Sequence, residues 1–310
     1  MSSTEPTPAP SLDGPDPSAV EVIEVIEDDL LGYDEIALVA GPPAPEHGLL
    51  TRVGAEVVGT LGIVLAVVGT LLYTGLSGAG AVGVALAGGA ALAGLTATFG
   101  RVSGAHFNPA VTLAAALTGR TAWLDALLYV VAQVLGAVLA VAVLFVTVPA
   151  ALPGLVDTVN PEATAADFLA ITANGWGAGS PLSVLSSGSV TFGLAAALLV
   201  EALATALLVA VVLGTSARRS GAVAIGLTYA SMLLVAGPVT NAALNPARAT
   251  AVALLSAGSD TLALTQLWGF WLAALLGGAA VGLAVLAFGR TVTEPLEIVL
   301  DGETESVVVR

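Results

Sequence analysis

Asn-Pro-Ala stands twice in this sequence, at Asn108-Pro109-Ala110 and at Asn245-Pro246-Ala247. Each copy opens an apolar stretch about half as long as a membrane crossing, 108–118 and 245–256. Asparagine is a strong helix N-cap, and proline at the first helical position gives up only an N–H that has no partner there. The alanine lets two such helix starts pack closely. Brought face to face at the middle of a bilayer, two half-helix N-termini present roughly +0.5 charge each. That field repels a cation or hydrated proton and accepts a neutral hydrogen-bonding molecule, to which the amides of Asn108 and Asn245 would donate in single file. One copy alone would read as an ordinary Asn-Pro turn. Two copies, each heading a half-length apolar helix, make that reading untenable.

The elements that must position these residues are legible in the composition. The chain has 310 residues, 56% of them apolar and only 10% charged, with a mean hydropathy of +0.96. A soluble domain carries about 25% charge, so the expected class is an all-α membrane protein. Apolar runs at about 53–73, 81–99, 124–147, 190–213, 221–239 and 262–288 each approach the ~20 residues that cross the hydrocarbon as a helix. Each half of the chain repeats one programme. A span carrying a glutamate (Glu56, then Glu201) leads to a second span, to the Asn-Pro-Ala half-helix and to a third span. Three crossings repeated once give an inverted repeat, so the two half-helices enter from opposite faces and meet at the midplane. The expected domains are a channel-like body over 48–290, its repeats at about 50–148 and 190–290, and an outer connection at 149–189. Acidic cytoplasmic tails flank it at 1–47 and 291–310, the first Pro-rich and disordered.

Those tails hold most of the charge. The formal net charge is −15, and sixteen of the 23 acidic residues lie in 1–47 and 291–310. Lysine is absent, and with both termini inside, every arginine except Arg248 falls on the cytoplasmic side. Enzyme chemistry is not expected: the chain has no cysteine, two histidines (His47 and His106), no clustered metal ligands and no phosphate-cradling loop. No cofactor, metal or nucleic-acid partner is implied.

Two sequences around the motifs, SGAHFNPAVT and PVTNAALNPAR, carry a resemblance to the aquaporin or major intrinsic protein family over about residues 50–290. It implies six tilted spans and two re-entrant half-helices around one pore per subunit, usually in a homotetramer. Matched without gaps, the family's outer selectivity filter falls on Gly88, Leu233, Ala242 and Arg248. Arg248 fits the pattern. Gly88 and Leu233 replace the aromatic and the histidine of water-selective members, and Ala249 stands where glycerol facilitators have Asp, so the filter is expected to be wide and weakly polar. The resemblance assigns Glu56, Glu201 and His106 to support of the loops, and Gln133 is expected to brace the loops across the repeat axis. The four-residue spacings Ala132, Gly136, Ala140 and Gly278, Gly282 suit close helix approach. The expected activity is passive permeation of water, excluding protons and ions, in the cell membrane. A facilitator of glycerol, urea or ammonia is the alternative; a coupled transporter or a non-conducting scaffold is less compatible with the paired motifs and Arg248.

Overall fold

The computed structural model describes residues 47–157, 159–215, 220–259, 261–288, 295–300 and 303–308. The acidic N-terminal segment and Arg218, Arg219, Arg290 and Arg310 lie outside the described residues. Six helices are long and apolar enough to cross a membrane: α1 (Leu49–Leu72), α3 (Gly80–Ser103), α5 (Trp123–Thr147), α9 (Leu194–Thr215), α10 (Gly221–Thr240) and α12 (Leu262–Phe288). The two half-helices are α4 (Pro109–Leu117) and α11 (Pro246–Ser256). Short helices complete the body: α2 (Thr74–Ser77), α6 (Leu152–Val156), α7 (Ala165–Ala170) and α8 (Pro181–Leu185), the last three in the outer connection. Beyond the body, β1 (Pro295–Leu300) and β2 (Glu303–Val308) pair antiparallel, Pro295 opposite Val308 and Leu300 opposite Glu303. The sequence reading had only an acidic tail there, although Asp301-Gly302 between two β-prone runs is a hairpin signal.

Both half-helices begin for the same local reason. Asn108 and Asn245 have extended backbones, and the side-chain Oδ1 of each accepts from the N–H two residues on, Ala110 at 2.9 Å and Ala247 at 3.0 Å. Proline follows at the first helical position in both.

Glycines set how closely the spans approach, at equivalent places in the two repeats. A Cβ on Gly136 of α5 would lie 2.3 Å from the carbonyl oxygen of Val57, and one on Gly277 of α12 would lie 2.3 Å from that of Ala202. Val57 and Ala202 are the residues after Glu56 and Glu201, so in each repeat the third span presses on the first beside its glutamate. Across the repeats, Gly89 of α3 and Gly226 of α10 lie against each other's carbonyls, where a Cβ would come within 2.6 and 2.3 Å. Gly278 likewise presses on the Ala110 carbonyl at 2.5 Å from a Cβ position. The small-residue spacings at 132–140 and 278–282 therefore serve packing within one chain. Large apolar side chains such as Leu86, Val131, Leu203, Leu227 and Leu276 remain exposed on the outer faces, as a lipid-facing surface requires.

Candidate pore

Between each second span and its half-helix runs a five-residue non-helical segment, 104–108 and 241–245. The two share an unusual backbone. Gly104, Ala105 and Phe107 have φ of 87°, 52° and 51°, and Asn241, Ala242 and Leu244 have 64°, 48° and 50°. Left-handed backbone at a residue with a side chain costs roughly 1 kcal/mol or more, so something must hold each segment. Glu56 does so in the first repeat: Oε1 accepts from Ser103 Oγ at 2.6 Å and His106 N at 3.0 Å, and Oε2 from Phe107 N at 2.7 Å and Gln133 Nε2 at 2.7 Å. Glu201 does so in the second, accepting from the Thr240 hydroxyl, Ala243 N at 2.8 Å and Leu244 N at 2.7 Å. Bonds to an ionised carboxylate are about twice as strong as neutral ones, which offsets the strain. Gln133 also donates to Thr112 Oγ1 at 2.8 Å. Both of its bonds stay within the first repeat, which corrects the expectation of a brace across the repeat axis.

That brace is made by the motif asparagines themselves. Asn108 Nδ2 donates to the Leu244 carbonyl at 2.7 Å and Asn245 Nδ2 to the Phe107 carbonyl at 2.8 Å. Each amide nitrogen keeps a second N–H. Both asparagines border a cavity of about 20 Å³, together with His106, Leu208 and Tyr229. His106 is buried, with Nδ1 at 3.2 Å from Thr112 Oγ1 and its ring edge-on to Tyr129.

Above this inner cavity lies a much larger one of about 340 Å³, lined by Val67, Leu71, Val84, Leu233, Ala242 and Arg248 among others, and almost wholly apolar. The side chain of Arg248, buried at 1% exposure, donates from both terminal nitrogens to the Asn241 carbonyl at 3.0 Å and from Nη1 to that of Ala242. Its Nε has no partner among the described residues. Gly88 does not line this cavity. Its absent side chain leaves a space into which Leu233 leans, with Leu233 Cδ1 and Val67 Cγ2 both 2.7 Å from where a Cβ would be. The expected widening at this level is thus partly filled by α10.

Sequence reasoning missed two residues of this region. Asn174, in the outer connection, donates from Nδ2 to the carbonyls of Thr240 at 3.1 Å and Asn241 at 3.0 Å, while Asn241 Nδ2 donates back to Ala173 O at 3.1 Å. The connection is thereby tied to the second pore segment, and Pro181, Leu182 and Leu185 of α8 wall the outer cavity. The other is Tyr229, whose apolar helix context gave no signal of a polar role.

A transmembrane body of six spans, with two half-helices joined tip to tip by asparagines, is an arrangement a family comparison can identify. The family model for the major intrinsic protein matches residues 45–285. The chain belongs to that family. It is 34% identical over 241 residues to aquaporin Z of Photorhabdus laumondii, covering 76% of this chain and 95% of that one. Aquaporin Z of Brucella melitensis is 36% identical over 244 residues, with 76% and 96% covered. Among solved structures, the aquaglyceroporin from Plasmodium falciparum matches with a TM-score of 0.55 at 19% identity, covering 77% of this chain and 96% of that one. At that identity the likeness speaks for the fold. Members of the family are channels rather than enzymes.

Proposed function

We propose that this major intrinsic protein is a passive channel for water that excludes protons and ions. The observation that carries the proposal is the reciprocal clasp at the centre, where Asn108 and Asn245 each cap a half-helix and bond the opposite loop. One N–H of each amide is engaged, and both asparagines line the inner cavity, where the second N–H of each is the donor left for a permeant. A water accepting from both must turn its own hydrogens away, and the two positive helix ends oppose a cation at the same point. Arg248, held by the 241–242 carbonyls, adds a fixed positive charge and free donors above it. The similarity to aquaporin Z chains supports water as the permeant.

A second reading, a facilitator of glycerol, urea or ammonia, is favoured by the apolar outer cavity and by Gly88 and Leu233 in place of ring and imidazole. In both readings Leu233, Ala242 and Arg248 line the outer filter with Gly88 behind Leu233, and Glu56, Glu201, His106 and Gln133 support the loops. The protein lies in the cell membrane with both termini cytoplasmic and assembles as a homotetramer with one pore per subunit. Purified full-length protein in proteoliposomes tests the proposal by stopped-flow light scattering. Osmotic shrinkage faster than in empty vesicles and linear in the gradient is expected; shrinkage equal to empty vesicles would refute it.

A further inference from the structure

Tyr229 lies one helical turn before Leu233 on α10, at the wall of the inner cavity beside Asn108 and Asn245. Neither the motifs nor the four filter positions include it. Its side chain is 2% exposed, and its hydroxyl has no hydrogen-bond partner among the described residues. A buried hydroxyl left unpaired is costly in any protein. It is tolerated where a mobile polar molecule can meet it, and Tyr229 is among the residues that line the inner cavity. Leu233, one turn later, lines the outer cavity with Arg248, while Tyr229 lines the inner one with the motif asparagines, so Tyr229 stands between those two levels.

The packing explains how a tyrosine comes to stand there. Gly89 and Gly226 draw α3 and α10 together until their backbones touch. At Gly88 there is no side chain, and the space is taken from the opposite helix: Tyr229 Cε1 lies 3.3 Å, and Leu233 Cδ1 2.7 Å, from the position of a Cβ. The bulk missing from position 88 is thus supplied one turn deeper by α10. The cavity left beside the ring is about 20 Å³, and a single water needs ~10–15 Å³ measured in this way. A polyol requires several times that space.

We propose that Tyr229 sets the selectivity of this pore, its ring excluding polyols and urea and its hydroxyl serving as the hydrogen-bonding station for water between Arg248 and the Asn108–Asn245 pair. The assignment rests on the channel reading and decides between water and larger neutral solutes. The outer filter positions then form a vestibule, and the discriminating step lies deeper.

The test uses full-length wild type, Tyr229→Phe and Tyr229→Ala in proteoliposomes, with water, glycerol and urea permeability measured side by side and normalised to reconstituted protein. Tyr229→Phe keeps the ring and removes the hydroxyl. It should lower water flux roughly fivefold, the equivalent of one hydrogen bond of about 1 kcal/mol, and leave glycerol at background. Tyr229→Ala should raise the glycerol-to-water ratio by about tenfold. A Tyr229→Phe channel as fast as wild type for water, or a Tyr229→Ala channel with the wild-type ratio, overturns the assignment. Wild-type flux equal to that of protein-free vesicles overturns the channel reading and the assignment together, so the two failures are told apart.

Discussion

Glu56 is fully buried and accepts four hydrogen bonds, two of them from the backbone N–H groups of His106 and Phe107. A glutamine in its place offers one carbonyl oxygen and turns an NH₂ toward donors that have no other acceptor. Each bond to a charged group contributes ~1.5–3 kcal/mol, and an orphaned buried donor costs a similar amount. Glu56→Gln is therefore expected to lower stability by roughly 3 kcal/mol or more, read as a fall in the thermal midpoint of the detergent-solubilised protein. An unchanged midpoint would show that the left-handed backbone at Ala105 and Phe107 is held by other means. The equivalence of Glu56 and Glu201 is visible in the sequence, since both sit on the first span of a repeat. The partners of Gln133 are not, because Glu56 and Thr112 lie on other helices and meet its amide only once those helices are docked.

Helix contacts made by backbone against backbone leave no room for even a methyl group. Gly277→Ala would place a carbon 2.3 Å from the Ala202 carbonyl oxygen, forcing α12 away from α9 beside Glu201. Gly54 of α1 has nothing within 4 Å of its Cβ position, and there alanine should be neutral or stabilising by up to ~1 kcal/mol through helix propensity. The expected outcome is a lower melting temperature and lower water flux for Gly277→Ala and neither for Gly54→Ala. In the outer connection, α7 begins with a capping box in which Asp167 accepts from Thr164 N and Thr164 Oγ1, both at 2.7 Å. Asp167 also accepts from the Ser259 hydroxyl beyond α11. That hydroxyl first, and then Thr164, hold the Asp167 carboxyl down at about 2 from the ordinary 3.8. A depressed carboxylate pKa stabilises above its ordinary value, and the effect is lost as pH falls through the depressed one. The anchor should be constant from mildly acidic to neutral pH, and Asp167→Asn should speed limited proteolysis within 149–189 at neutrality. Equal proteolysis rates would show that α7 is held without this carboxylate.

At the level of the whole molecule, two inverted copies enclose one path, yet the copies differ where the path is selective. Arg248 stands three residues after Asn245, while Val111 stands three after Asn108, so only one half carries a fixed charge beside its motif. With no cysteine in the chain, mercurial reagents should leave water flux unchanged in the same stopped-flow assay; inhibition would reveal another soft ligand near the pore.

The sequence by itself determined the spans, the half-helices, their caps and the inverted repeat. Each of these is local: hydropathy over one helix length, an asparagine and a proline at a helix start, or a pattern recurring along the chain. Only the tertiary structure decided what fills the space beside Gly88, which loop Gln133 serves, how Asn174 ties the outer connection to 240–241, and that Tyr229, its hydroxyl without a partner among the described residues, lines the inner cavity with the motif asparagines. Those outcomes depend on the rotation and approach of helices far apart in the chain, here set by Gly89 against Gly226, and a change of one side chain's width in that approach decides which group meets the permeant.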